Sequence, residues 1–235
     1  MNALAAACAP AGVRITLNGV DVLCRPSGSL WIADERALVA ADLHLEKGSC
    51  FAARGQFLPP YDSAETLGRL EAEAAALGAA RLVLLGDSFH DVGAFARAGP
   101  ALAARLAALA ERHALLWILG NHDPELPPDV PGKRLAACSL AGLKLTHEPL
   151  GRPSPGEVAG HLHPCVRVGG GAASVRRRCF ATDGERMVLP AFGAYAGGLN
   201  VLDRAFRGLF RRPPCAIALG GERAHLVGWR SLRPD

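Results

Sequence analysis

Three short apolar runs constrain this chain more than any other feature, because each stops abruptly at a polar cluster. Residues 37–41 run into Asp42-Leu43-His44, Arg81–Leu85 into Gly86-Asp87-Ser88-Phe89-His90-Asp91, and residues 114–119 into Gly120-Asn121-His122-Asp123. Between them lie two alanine-rich stretches poor in β-branched residues, Asp62–Leu77 and residues 100–113, which read as helices. Asp62 with Glu65 three residues later reads as a capping box, and Pro100 suits a first helical turn. Strand alternating with helix predicts a parallel sheet with crossovers. Ligands of such sheets bind beyond the carboxyl ends of the strands, so the three polar clusters are expected along one edge.

Short β-type runs flank this core. Before it come residues 13–17, 20–23, 30–32 and 37–40, with Asn18-Gly19 marking a hairpin. After residue 130 the pattern turns to β-runs broken by Gly and Pro: 143–146, 158–159, 166–168, 174–180, 187–189, 216–219 and 225–228. Two of these again end at histidines, His147-Glu148-Pro149 and Gly160-His161-Leu162-His163-Pro164. A second sheet packed on the first is expected, with residues 1–235 as one domain, because no Ser/Gly linker separates the halves. Half the residues are apolar, only 20% are charged and mean hydropathy is slightly positive, which supports a large core and excludes intrinsic disorder.

Seven cysteines, odd in number and without a C-x-x-C pair, support neither a disulfide framework nor a zinc ribbon. A reducing, cytoplasmic compartment is expected. The amino-terminal residues lack the charged segment of a secretory signal, and no apolar run approaches the ~20 residues needed to span a bilayer.

Six of the eight histidines (His44, His90, His122, His147, His161 and His163) stand within a residue or two of an expected strand end that carries other polar ligands. His113 and His225 do not, and read as ordinary surface or core residues. Aspartates with neutral imidazoles are the donors that a pair of divalent ions ~3.5–4 Å apart requires, since a carboxylate can bridge while imidazole suits Mn, Fe, Zn or Co better than Mg or Ca. An Asn carbonyl adds a ligand without adding charge.

In their order, Asp42-Leu43-His44, Gly86-Asp87, Gly120-Asn121-His122-Asp123, His147 and Gly160-His161-Leu162-His163 resemble the five signature blocks of the calcineurin-like metallophosphoesterase superfamily. The resemblance implies an α/β fold, a four-layer αββα sandwich of two mixed β-sheets. It implies two divalent metal ions per chain, manganese by preference, with Fe, Zn or Co as alternatives. Asp42, His44 and His163 would hold the first ion, Asp87 would bridge, and Asn121, His147 and His161 would hold the second. Water activated by the two ions would attack phosphorus, with His122 beside the scissile phosphate and Asp123 orienting its ring as the second catalytic residue. His90-Asp91 departs from the Asp-Arg pair of many phosphatases of the superfamily. Leu58-Pro59-Pro60-Tyr61-Asp62, the Gly86–Asp91 block, and residues 189–195 with Gly198-Leu199-Asn200 are instead similar to the ligase-associated DNA damage response endonucleases. That narrower resemblance implies DNA as substrate and a DNA ligase and helicase as functional partners, with no membrane role. It leaves oligomeric state and substrate-binding residues open.

Two other functions fit the same blocks: a phosphodiesterase or pyrophosphatase for a nucleotide or other small molecule, and a non-catalytic scaffold of the same fold. The scaffold is disfavoured because every ligand position and His122 are occupied. Charge bears on the substrate. Residues 1–150 carry 13 basic and 16 acidic side chains, a net of −3, whereas residues 151–235 carry 13 and 6, a net of +7. This arginine-rich final third (about 165–235) includes Arg176-Arg177-Arg178 and Arg204, Arg207, Arg211 and Arg212, the first three of the latter sharing one face if that segment is helical. Such a stripe suits a phosphate backbone, and reads equally as a solvated face of an alanine- and arginine-rich sequence. No aromatic platform is evident around it, and sequence-specific reading is not indicated.

Overall fold

A computed structural model describes residues 12–169 and 174–235. Residues 1–11, on which the reading of the amino terminus rests, lie outside the described residues. The first sheet has seven strands in sequence order: β1 (Val13–Leu17), β2 (Val20–Cys24), β3 (Leu30–Ile32), β4 (Ala37–Ala40), β5 (Arg81–Leu85), β6 (Ala114–Ile118) and β7 (Lys133–Leu135). β1 to β4 form an antiparallel meander. Asn18 and Gly19 both have positive φ, as a two-residue hairpin turn demands. β4 to β7 are parallel. Their crossovers are α1 (Lys47–Ala52) with α2 (Asp62–Leu77), and then α3 (Ala94–Arg112).

Two helix expectations change in detail. α3 begins before Pro100 and is interrupted at Gly99 (φ 71°, ψ −175°), so Pro100 opens its main segment. Asp62 is the first helical residue and not a side-chain cap. Its buried carboxylate accepts the Gly48 amide of α1 at 3.0 Å and so ties the two helices together.

The second sheet gathers β8 (Ala137–Leu140), β9 (Leu143–Thr146), β10 (Glu157–Ala159), β11 (Pro164–Val168), β12 (Val175–Thr182), β13 (Met187–Val188), β14 (Leu199–Asn200), β15 (Cys215–Leu219) and β16 (Ala224–Val227). Its main path runs β14-β11-β12-β13-β10-β9-β8, with β15 on β12 and β16 on β15. Strands β9 and β10 are parallel, with Thr146 opposite Ala159, so the chain leaves both at the same edge.

Three apolar layers hold the sandwich. Val39, Val83, Leu85 and Ile118 face Leu145, Val158, Phe180 and Ile217 between the sheets. Leu38, Leu84 and Trp117 pack the other face of the first sheet against Leu67, Leu70 and Leu106 of the helices. The outer face of the second sheet (Val166, Cys179, Ala181, Ala216) is covered by loops and two short 3-10 turns, Arg204–Phe206 and Trp229–Ser231. The expected two-sheet α/β sandwich is observed, with its fourth layer made of turns and not of α-helices among the described residues. Pro213-Pro214 and Gly208 (φ 77°) leave no room for a longer helix there. For the same reason Arg204, Arg207 and Arg211 share no helical face: Arg207 is already extended.

The six described cysteines are free. Among the described residues no helix is long and apolar enough to cross a membrane.

One buried ion pair locks the second sheet to its loops. Arg186 and Glu157 are each 1% exposed and paired, and Arg186 also donates to the carbonyls of Leu150, Arg152 and Leu209. Replacing Glu157 by Ala strands a guanidinium without its counter-charge. The expected loss is about 3–5 kcal/mol, read as a lower urea midpoint at unchanged slope.

Candidate metal centre

The parallel register of β4, β5 and β6 brings their carboxyl ends level, with Ala40 opposite Leu84 and Leu85 opposite Ile118. The chain then continues pairing beyond the strands. The Asp42 amide donates to Gly86 O, that of His44 to Asp87 O and that of Leu45 to Ser88 O. From the second sheet, the Gly160 amide donates to His147 O, and the His161 amide donates to both Asp42 carboxylate oxygens at 3.1 and 3.0 Å. Each cluster is a sharp turn. Asp42, His44, Asp87, His161 and His163 all have φ between 46° and 68°, a region non-glycine residues seldom occupy and one that gathers at functional sites. Glycine is required where the walls meet: a Cβ on Gly86 would stand 2.2 Å from His147 Nδ1, and one on Gly120 2.3 Å from Asp87 Oδ1.

The seven expected ligand residues converge in two sets. Donor atoms of Asp42, His44 and His163 lie within 4.8 Å of one another, as do those of Asp87, His147 and His161. Asn121 joins the second set, its Oδ1 3.0 Å from His147 Nε2. In the first set His163 Nε2 is 3.3 Å from both His44 Nε2 and Asp42 Oδ1. In the second His147 Nε2 is 3.2 Å from His161 Nδ1 and 3.4 Å from Asp87 Oδ1.

These contacts test whether a cation fits. His147 Nδ1 lies 3.1 Å from the Leu85 carbonyl, which can only accept, so Nδ1 carries the hydrogen. In the neutral ring, Nε2 then presents a lone pair to an amide oxygen, a carboxylate oxygen and a second imidazole nitrogen. Such a gathering of acceptors is repulsive unless a proton or a cation sits among them. Ligands about 2.1 Å from one ion stand roughly 3.0–3.4 Å apart along an octahedral or tetrahedral edge, which is the spacing observed. The donor set fits divalent transition metals.

Electrostatics agree. Burial, then the His163 charge, lowers the His44 pKa to about 3, keeping its ring neutral. Burial would raise Asp87, but His147 and the His122 amide hold it down at about 2. Burial would lower His147, but Asp87 and Asp42 outweigh it and raise its pKa to about 9. The two buried carboxylates thus draw positive charge into the cleft between them.

His122 lies beside the second set. Its side chain is 40% exposed, and Nε2 is 4.0 Å from Asp87 Oδ2. The ring's Nδ1 donates to the His90 carbonyl at 2.8 Å, so that carbonyl orients it. The expectation that Asp123 does so is corrected. Asp123 is 1% exposed and turned away, each oxygen accepting two backbone amides: Oδ1 from Asp87 and Gly120, Oδ2 from Ser88 and Phe89. It shapes the turn that carries Asp87. Burial and the Asp87 charge raise its pKa to about 6 against the Phe89, Gly120 and Ser88 amides.

His90 is the residue that sequence reasoning left without a role. Its ring stacks on His122 (centroids 5.4 Å apart, 24° between planes), and its donor atom joins those of His44 and His122 within 4.8 Å. The signal was its place in the Gly86–Asp91 block.

No protein-family model matches the sequence, and no curated protein matches it. Among solved structures the chain is similar to the nuclease MPE of Pseudomonas putida, with a TM-score of 0.70 and 24% identity over 92% of this chain and 100% of that one. A phosphoesterase of E. coli, Yfce, aligns with a TM-score of 0.39 and 20% identity over 81% of this chain and 97% of the other. The chain has the metallophosphoesterase fold of the Pseudomonas nuclease, so the resemblance read from the sequence blocks holds at the level of architecture.

Asp123 yields a test. In Asp123→Asn, either amide orientation sets an NH2 group against two backbone N–H donors. The variant is expected to lose about 2–3 kcal/mol despite being isosteric, measured by thermal or urea unfolding. Unchanged stability would show that the four-amide cradle does not matter.

Proposed function

We propose that this chain is a binuclear-metal-dependent phosphoesterase that hydrolyses phosphodiester bonds in DNA as an endonuclease. The observation that carries the reading is the convergence, at ion-ligand spacing on one edge of the sandwich, of two sets of donors built around the buried Asp42, His44, Asp87 and His147. The fold it shares with a nuclease supports the reaction class, and the net charge of +7 over residues 151–235 supports a polyanionic substrate.

In this reading Asp42, His44 and His163 hold one ion and Asn121, His147 and His161 the other, with Asp87 shared. When bound, the ions supply Lewis acidity, lowering the pKa of water towards about 7 and neutralising phosphate oxygens. The residues do the rest. His161 N–H and the His122 amide fix the carboxylates of Asp42 and Asp87, so neither has to reorganise as charge develops. The Leu85 carbonyl holds His147 in the tautomer that turns Nε2 towards the site. The His90 carbonyl does the same for His122, leaving Nε2 facing the cleft, where as imidazolium it donates its proton to the departing oxygen and is recharged from solvent. On the sequence resemblance, manganese is the metal of choice, a DNA ligase and a helicase are functional partners, and the setting is repair of DNA in the cytoplasm.

The test is cleavage of circular single-stranded DNA by protein reconstituted with manganese. Linearised circles, abolished by EDTA, are the expected result. Intact circles with trimmed linear DNA would remove the endonuclease assignment, and turnover of cyclic nucleotides without DNA would favour the small-molecule reading. His122→Ala is expected to retain two manganese ions per chain by elemental analysis while DNA cleavage falls about 100-fold or more. If metal is lost along with activity, His122 is a ligand. Asp87→Asn is expected to empty both positions, and retention of two ions would refute sharing.

A further inference from the structure

Two arginines from different layers meet on one short segment. Arg69 of α2 donates to the Phe192 carbonyl and lies over the Phe192 ring at 4.8 Å, while Arg178 of β12 donates to the carbonyls of Ala191 and Gly193 at 2.9 and 3.0 Å. Among the described residues neither is ion-paired with a carboxylate, in contrast to neighbouring Arg25, which is held by Glu73, and Arg176, held by Asp235. Arg69 Nε is buried with no hydrogen-bond partner. Burial, then the Arg178 charge, lowers the Arg69 pKa, and burial lowers that of Arg178, outweighing the opposing charge of Glu65 on both. Two like charges side by side, with N–H groups to spare, are a destabilising arrangement that an anion relieves.

Space for that anion adjoins them. A cavity of about 550 Å³ is lined by Arg69 and Arg178 with Arg25, Ser27, Glu222 and the Glu73 that pairs with Arg25, and it shares Arg178 and Gly220 with another of about 430 Å³ lined by Arg176 and the exposed Arg177. The segment the arginines grip also reaches the metal centre. The Phe192 and Gly193 amides donate to the carbonyls of Ala41 and Asp42, and farther along the Leu199 amide donates to His163 O. Tyr195, between those points, donates its hydroxyl to Pro59 O at 2.6 Å. Pro59 lies between Phe57 and Tyr61, whose rings are 85% and 68% exposed. Exposed rings on a loop tied to an arginine cleft suit unpaired bases, which stack irrespective of sequence.

Resting on the phosphodiesterase reading above, we infer that the cleft of Arg69, Arg177 and Arg178 beside residues 191–193 is a phosphate-binding subsite for the single nucleic-acid strand that is cut at the metal centre. The subsite positions the strand through its backbone and reads no bases.

The experiment measures fluorescence anisotropy of a labelled, cleavage-resistant phosphorothioate single-stranded oligonucleotide, with the full chain reconstituted with manganese. Arg69→Gln and Arg177→Glu are each expected to weaken binding about tenfold and to lower the slope of log Kd against log salt by about one phosphate. Arg177 is exposed and caps none of these carbonyls, so its variant keeps the test valid if Arg69→Gln unfolds. Arg112→Gln, on the opposite edge where β6 begins, is expected to bind as wild type. Wild-type affinity and slope in a folded Arg177→Glu variant would overturn the subsite. A parallel arm separates the two readings. If wild-type protein hydrolyses a small aryl phosphodiester but binds no oligonucleotide, the subsite fails and the phosphoesterase stands. If the arginine variants lose oligonucleotide binding but wild type hydrolyses nothing, the phosphoesterase reading fails and the cleft remains a nucleic-acid site.

Discussion

The Asp42 carboxylate, fully buried, holds the two sheets in register at their functional edge. Both of its oxygens accept the His161 amide from the opposite sheet, and one stands 3.3 Å from His163 Nε2. A buried carboxylate costs several kcal/mol unless it is fully hydrogen-bonded and faces positive charge. Other features of the edge answer that demand: the strained turns that carry the candidate ligands, the glycines that let walls approach, and the imidazoles that crowd the carboxylates. Asp87 repeats the device one strand away, held low by His147 and the His122 amide.

The site is preorganised by backbone more than by side chains. Asp123 gathers four amides and sets the turn after β5, while the carbonyls of Leu85 and His90 select the tautomers of His147 and His122. Each supporting group sits on a strand end or the turn after it, where parallel pairing leaves little freedom. The concentration of left-handed conformations at the candidate ligands is the corresponding strain, of order 1–3 kcal/mol per residue, sustained by the packed layers beneath.

Much of this was legible in residue order. The alternation of apolar runs with alanine-rich stretches located β4, β5, β6 and α2, and the polar clusters named seven residues that the fold brings together. The failures have physical causes. Asp123 follows His122 directly, and adjacency in a turn says nothing about direction: its side chain reaches back to residues 87–89. Asp62 has the composition of a cap, yet a packing partner in α1 took its carboxylate. β7 and β8 escaped notice because Lys133-Arg134 and Ser139 break the apolar pattern of short strands. That the rings of Phe57 and Tyr61 stand exposed could not be read from residue order, because exposure is not written in a side chain's type.

Residue order by itself determined the fold class and the placing of the Asp, Asn and His clusters at strand ends, since hydrophobic periodicity and turn chemistry are local properties. Only the tertiary structure decided which side chains meet. His44 and His163 are 119 positions apart, as are Asp42 and His161, and Arg69 and Phe192 are 123 apart. Their contact depends on strand register across two sheets, a cooperative outcome of packing that no window along the chain contains.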